Sequence, residues 1–143
     1  ALDWAAEHDK EYDIICSLQV TSPLRQPRDI DGAITQLIDS EAMSCVSITG
    51  YITPPQWAVT IDEQKNIRAF FQNGALWDDE PARSQEIPEL LHPNGEIFAS
   101  KAASWRRRES FYTPTTVGYE MPPERSFDID EPWELELIRT LIE

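Results

Sequence analysis

A chain of 143 residues with 41% hydrophobic and 10% aromatic side chains has the means to build one domain with a real core, which excludes intrinsic disorder. Twenty-six acidic against 12 basic residues leave a net charge of −14, so the broad cationic footprint that DNA, RNA or an anionic membrane surface requires is missing. No apolar run is long enough to span a bilayer and no signal-peptide pattern opens the chain, so the expectation is a cytoplasmic protein with no nucleic-acid or membrane partner.

Residues 2–10 carry apolar side chains at positions 2, 4, 5 and 6 among charges, as the end of a helix does. Residues 12–20 are mostly apolar without alternation, the pattern of a strand buried on both faces. Thr21-Ser22-Pro23 ends it, and Ile30, Ala33, Ile34, Leu37 and Ile38 then recur at helical spacing within 29–40. A second buried strand follows at 44–49. Strand, loop, helix, strand is the pattern of a parallel α/β sheet. Cys16 and Cys45 lie in these two strand runs and are expected as buried thiols, since two cysteines are too few for a disulfide framework.

The middle of the chain changes character. Residues 51–55 form a Pro-containing turn, and 57–71 read as two strands around Asp62-Glu63-Gln64-Lys65-Asn66. An acid- and proline-rich loop follows over 78–88, so 51–90 reads as an excursion from the sheet. Asn94-Gly95 opens a strand at 96–100. A helix over 101–109, a strand over 115–120 and a closing helix over 131–143 complete the series. The last helix has Trp133, Leu135, Leu137, Ile138, Leu141 and Ile142 on its apolar face.

Three stretches could carry chemistry. Asp128 and Asp130 flank Ile129, and in an extended backbone both carboxylates face the same way, where a hard cation such as magnesium would join them. The other reading makes Asp130 the N-cap of the closing helix, with Pro132 in its first turn. Gln19, Thr21, Ser22 and Arg25 gather an amide, two hydroxyls and a guanidinium after the first strand, where α/β proteins place ligands. Alternatively the two hydroxyls satisfy turn backbone and Arg25 is solvated. Arg106-Arg107-Arg108 is read as a solvated helix face.

Taken in order, three motifs resemble one family. Gln19-Val20-Thr21-Ser22-Pro23-Leu24-Arg25 resembles the Gln-Pro-Thr-Ser-Pro-Leu-Arg motif of the acylneuraminate cytidylyltransferases, which make CMP-sialic acids and related CMP-nonulosonates. Pro93-Asn94-Gly95-Glu96-Ile97-Phe98 is similar to that family's Pro-Asn-Gly-Ala-Ile-Tyr. Glu124-Arg125-Ser126-Phe127-Asp128-Ile129-Asp130 is similar to its Glu-Arg-Ser-Ile-Asp-Ile-Asp.

The resemblance implies a three-layer α/β/α, Rossmann-like nucleotidyltransferase sheet, truncated at the N-terminus, as a single domain over 1–143 with a β-hairpin dimerisation excursion at 51–90. It implies that Gln19, Asn94 and Phe98 contact a sialic-type sugar acid, with Phe111 and Tyr112 as the apolar wall. Arg83 would meet the sugar carboxylate, supplied by the second subunit of a homodimer. Asp128 and Asp130 would hold a magnesium ion while the sugar's anomeric hydroxyl attacks the α-phosphate of CTP and pyrophosphate leaves.

Departures accompany the match. Val20 replaces Pro, His92 stands where the family has Arg, and Phe98 lacks a tyrosine hydroxyl. The family's glycine- and basic-rich phosphate loop has no counterpart, because the five glycines at 32, 50, 74, 95 and 118 are scattered. The expectation is a cytidylyltransferase-like chain that is incomplete and inactive alone. The alternatives are a catalytically silent truncated homologue, serving as a sugar-acid-binding or dimeric interaction module, and an acidic α/β interaction domain whose motifs are coincidental.

Overall fold

The computed structural model describes residues 1–71 and 87–142. They divide into two units: residues 1–49 with 93–143, and residues 50–92.

The first unit holds a four-stranded sheet in the order β1-β5-β2-β6, built from β1 (Ile14–Leu18), β2 (Ser44–Gly50), β5 (Leu91–Lys101) and β6 (Thr116–Glu120). The sheet is mixed where the strand–helix–strand pattern predicts parallel pairing. β2 and β6 run parallel, but β5 inserts between β1 and β2 and pairs antiparallel with β1, Ser17 opposite Phe98. Among the described residues β5 is the one neighbour of β1, whose residues are half-buried or exposed, and Val20 just beyond is 96% exposed. Cys16 is accordingly exposed rather than buried. Cys45, on the central strand β2, is fully buried, and burial pushes its thiol up to about 11.

Helix α2 (Pro27–Asp39) connects β1 to β2 and packs on β6. Pro27 at its first position needs no N–H partner, and Asp29 in the first turn accepts the Gln26 N–H at 2.9 Å, which starts the helix firmly. Ala33 and Leu37 face the core, where they meet Ala42, Cys45, Ile97, Ala99 and Met121, with Ile14, Ile30, Val117 and Tyr119 packed around them. Gly32 makes close approach possible: a Cβ there would lie 2.5 Å from the Tyr119 ring.

Helices α1 (Leu2–Glu7) and α3 (Ala102–Arg108) are tied together by Arg106, which donates to the Asp3 carboxylate at 2.6 Å and to the Leu2 carbonyl at 3.1 Å. At least one arginine of the basic run is thus an internal tie. Glu109 closes α3 in the left-handed region, its N–H bonded to the Trp105 carbonyl. Helix α4 (Pro132–Ile142) buries Ile138 and leaves Trp133, Leu141 and Ile142 each 63% exposed, so most of the expected apolar face is uncovered.

The second unit contains the hairpin β3 (Val59–Ile61) and β4 (Ile67–Ala69), paired antiparallel around the predicted turn. Its Asp62 carboxylate accepts the Asn66 N–H at 2.8 Å. Within this unit His92 belongs to the start of β5, with its ring 4.4 Å from that of Tyr51. Among the described residues no helix is long and apolar enough to cross a membrane.

Candidate functional site

All three motif segments meet in the first unit. The loop after β1 is fastened to the third motif by the Ile129 N–H, which donates to the Thr21 carbonyl at 3.0 Å. β5 is fastened to it by Asn94, whose Nδ2 donates to Ser126 Oγ at 2.8 Å and approaches Met121 Sδ at 3.7 Å. The Asn94 Oδ1 in turn accepts from Ser47 Oγ at 2.5 Å and from the Glu96 N–H at 3.2 Å. Asn94 is therefore buried with its whole amide engaged inside the fold, as a buried polar group must be.

Gln19 is exposed and lies over Gly95, where a Cβ would come within 3.2 Å of its Oε1. Gly95 has φ +79°, a left-handed conformation open to glycine at no cost, so the Asn94-Gly95 turn and the Gln19 placement depend on one another. Arg25 is not solvated. Its guanidinium donates to the carbonyls of Glu96 at 2.7 Å and Gln19 at 3.2 Å, pinning the loop to β5.

Phe98 and Phe111 come together with ring centroids 5.4 Å apart, and Trp105 joins them at 4.5 Å from Phe111, forming an aromatic wall. Tyr112 is 58% exposed beside it in sequence. Arg83 lies outside the described residues.

The third motif is not a strand. After a 3-10 turn at Pro123–Arg125 the chain runs irregularly to Asp130. Asp128 is half-buried, with Oδ1 shut off from water and without a hydrogen-bond partner, whereas Asp130 is exposed. Glu134 caps the closing helix: its carboxylate accepts the N–H groups of Asp130 and Glu131, both at 2.7 Å. Among the described residues no group of three or more His, Cys, Asp or Glu forms a ready metal site, yet the orphaned Asp128 oxygen fits a cation ligand.

Reasoning from sequence missed two acids. Asp29 is fully buried and takes a two-pronged bond from Arg125, at 3.0 Å from Nε and 2.8 Å from Nη2. Burial works to raise its pKa, but the Arg125 hydrogen bonds, the Gln26 N–H and the nearby arginine charges outweigh it and hold the carboxyl below the usual range. Arg125, the middle residue of the third motif's Glu-Arg-Ser, is thus a clamp between α2 and that segment.

Glu96 is the second, with no exposed surface at all. Burial raises its pKa to about 7; Arg25 opposes this, and the Asp128 charge adds to it. The nearest Arg25 nitrogen is 3.6 Å from Oε2, too far for a hydrogen bond. Ser22 Oγ, beside the carboxylate, opposes the rise as well, so Glu96 keeps the Arg25 ion pair and the Ser22 hydroxyl as its neighbours. The available signal was a glutamate in the predicted strand 96–100, two residues before Phe98 and so on its face.

No model of a known protein family matches the chain. An N-acylneuraminate cytidylyltransferase of Streptococcus agalactiae serotype V is 30% identical over 128 residues, 90% of this chain and 30% of that protein. A CMP-N,N'-diacetyllegionaminic acid synthase of Legionella pneumophila is 30% identical over 136 residues, 94% of this chain and 56% of that protein. The solved structure of a CMP:2-keto-3-deoxy-manno-octonic acid synthetase complexed with CTP superposes at a TM-score of 0.60 and 17% identity, covering 96% of this chain and 64% of that one. The chain thus spans about a third of the streptococcal relative's length and about half of the Legionella protein's. Ordered motifs, shared sequence and a Rossmann-like nucleotidyltransferase fold make this chain a homologue of part of the acylneuraminate cytidylyltransferases.

Proposed function

We propose that these residues form the sugar-acid and cation side of a site that makes a CMP-nonulosonate from CTP and a sialic-type acid. The observation that supports this best is the convergence of the three motif segments, through Ile129 on Thr21 and Asn94 on Ser126. Gln19 offers its exposed amide to the sugar acid over Gly95. Phe98, Phe111 and Tyr112 give the apolar wall, Asn94 holds the pocket floor in place, and Arg83 meets the carboxylate. Asp128 and Asp130 hold the magnesium ion, which when bound neutralises charge on the nucleotide phosphates. Asp128 presents an oxygen that water cannot reach, so its attraction for a cation is not diluted by solvent.

A homodimer through the second unit is part of the proposal. Val59, Ile61 and Ile67 are 44, 60 and 57% exposed on a two-stranded hairpin, an element marginal by itself in water. So is a cytoplasmic setting, where free thiols such as Cys16 and Cys45 persist.

Isothermal titration with an N-acylneuraminate tests the reading. Saturable binding is expected, weakened about tenfold in Gln19→Ala through loss of a hydrogen bond to a charged ligand. Absence of saturation would overturn it. Pyrophosphate release from CTP and the sugar acid is expected to be undetectable with these 143 residues alone, because they contain no glycine-rich phosphate cradle.

A further inference from the structure

We propose that the hydroxyls of Ser44, Thr113 and Thr116 are a positioning device that sets Phe111 and Tyr112 as the wall of the sugar-acid pocket. The inference rests on the proposed sugar-acid site and deepens it. Phe111 and Tyr112 stand in residues 109–115, between α3 and β6, which belong to neither helix nor strand. A regular ladder of backbone bonds therefore does not fix their place, and hydroxyl groups supply the hold. Thr116 Oγ1 is the hub. It accepts the Thr113 N–H at 2.6 Å and lies 3.0 Å from the Thr113 carbonyl and 3.3 Å from the Phe111 carbonyl. Ser44 Oγ is 2.8 Å from Thr116 Oγ1 and 3.0 Å from Thr113 Oγ1, and the two threonine hydroxyls are 3.2 Å apart, which closes a triangle.

The triangle is anchored in the sheet. Ser44 is 0% exposed and is the register partner of Thr116 across the parallel pair β2 and β6. The Thr115 hydroxyl accepts the Met43 N–H at 3.1 Å, tying the same segment to the start of β2. On the near side of the wall, Ser110 Oγ accepts the Tyr112 N–H at 3.1 Å and donates to the Tyr112 carbonyl at 3.2 Å. Hydroxyls in an ordinary turn satisfy their own backbone, but Ser44 reaches Thr113 and Thr116 from 69 and 72 positions away. Ring contacts such as Phe111 on Trp105 tolerate several offset and tilted arrangements, whereas a hydrogen bond restricts both distance and angle. The rings therefore set what the wall is made of, and the hydroxyls set where it stands.

Isothermal titration of an N-acylneuraminate into wild type, Thr116→Val and Thr116→Ser tests the role. Thr116→Val keeps the shape of the side chain and removes the hub, and should weaken binding at least about tenfold. Thr116→Ser keeps the oxygen and should bind within about twofold of wild type. Thermal melts set a temperature at which each variant is folded; should Thr116→Val not fold, Thr113→Val takes its place with the same expectation. Amide hydrogen exchange in the ligand-free protein locates the effect: faster exchange confined to residues 110–116 is expected in Thr116→Val, with the β2 and β5 amides unchanged. Unchanged affinity in the folded valine variant would overturn the positioning role and leave the sugar-acid site standing. Faster exchange spread evenly through the sheet would also overturn it, because the hydroxyl would then serve overall stability alone. No binding by wild type would overturn the site and the positioning role together.

Discussion

At the scale of single residues, the motif residues divide into those proposed to face a ligand and those that hold the three segments together. Arg25, Asn94 and Arg125 are of the second kind. Arg125 on Asp29 carries the clearest pH signature. The Asp29 carboxyl is held below its ordinary 3.8, so its contribution to stability is fully present above that pH and is lost as pH falls through the folded-state value. Arg125→Leu should therefore lower the urea midpoint at neutral pH, and the deficit should shrink as the solution is taken below 3.8. An equal deficit at both ends of that range would show that the pair is not the source. Gly95 supports the site through backbone conformation. Gly95→Ala forces a side chain into the left-handed region and against Gln19, and should cost about 1–2 kcal/mol in a denaturant titration.

Among the elements, α2 and β2 were the most legible, because a helical stripe and a continuous apolar run report burial directly. Gly32 shows where propensity misleads. Replacing a mid-helix glycine by alanine ordinarily stabilises, yet here the new Cβ would stand 2.5 Å from the Tyr119 ring. Gly32→Ala should destabilise by about 1 kcal/mol or more through overpacking, measured by thermal melting. Near-ultraviolet circular dichroism should register the displaced tyrosine. β1 was recognised as a strand but read as a central one. An apolar run looks the same whether one neighbour or two flank it, and here β5, from the far side of the excursion, is its only partner among the described residues.

For the whole molecule, the net charge of −14 and the apolar hairpin act in opposite directions on association. Charge favours dispersal in water, while Val59, Ile61 and Ile67 favour burial against a second copy. Sedimentation at micromolar concentration should show a dimer, and Ile61→Lys should return it to monomer. A wild-type monomer under those conditions would count against the dimer proposal.

What the sequence determined by itself was the local vocabulary. It set the identity and order of the helices and strands, the hairpin turn, and the three motifs that tie the chain to the acylneuraminate cytidylyltransferases. These are legible because periodicity, turn chemistry and short motifs are properties of neighbouring residues. Tertiary structure alone decided that β1 is an edge among the described residues, that Cys16 is exposed, and that Asp128 turns inward while Asp130 does not. It also decided that Asp29 meets Arg125 from 96 positions away. Above all it placed a lone strand glutamate, Glu96, in the dark between Arg25 and Asp128. Burial and charge balance are set by which segments meet, and no window of the chain contains that information.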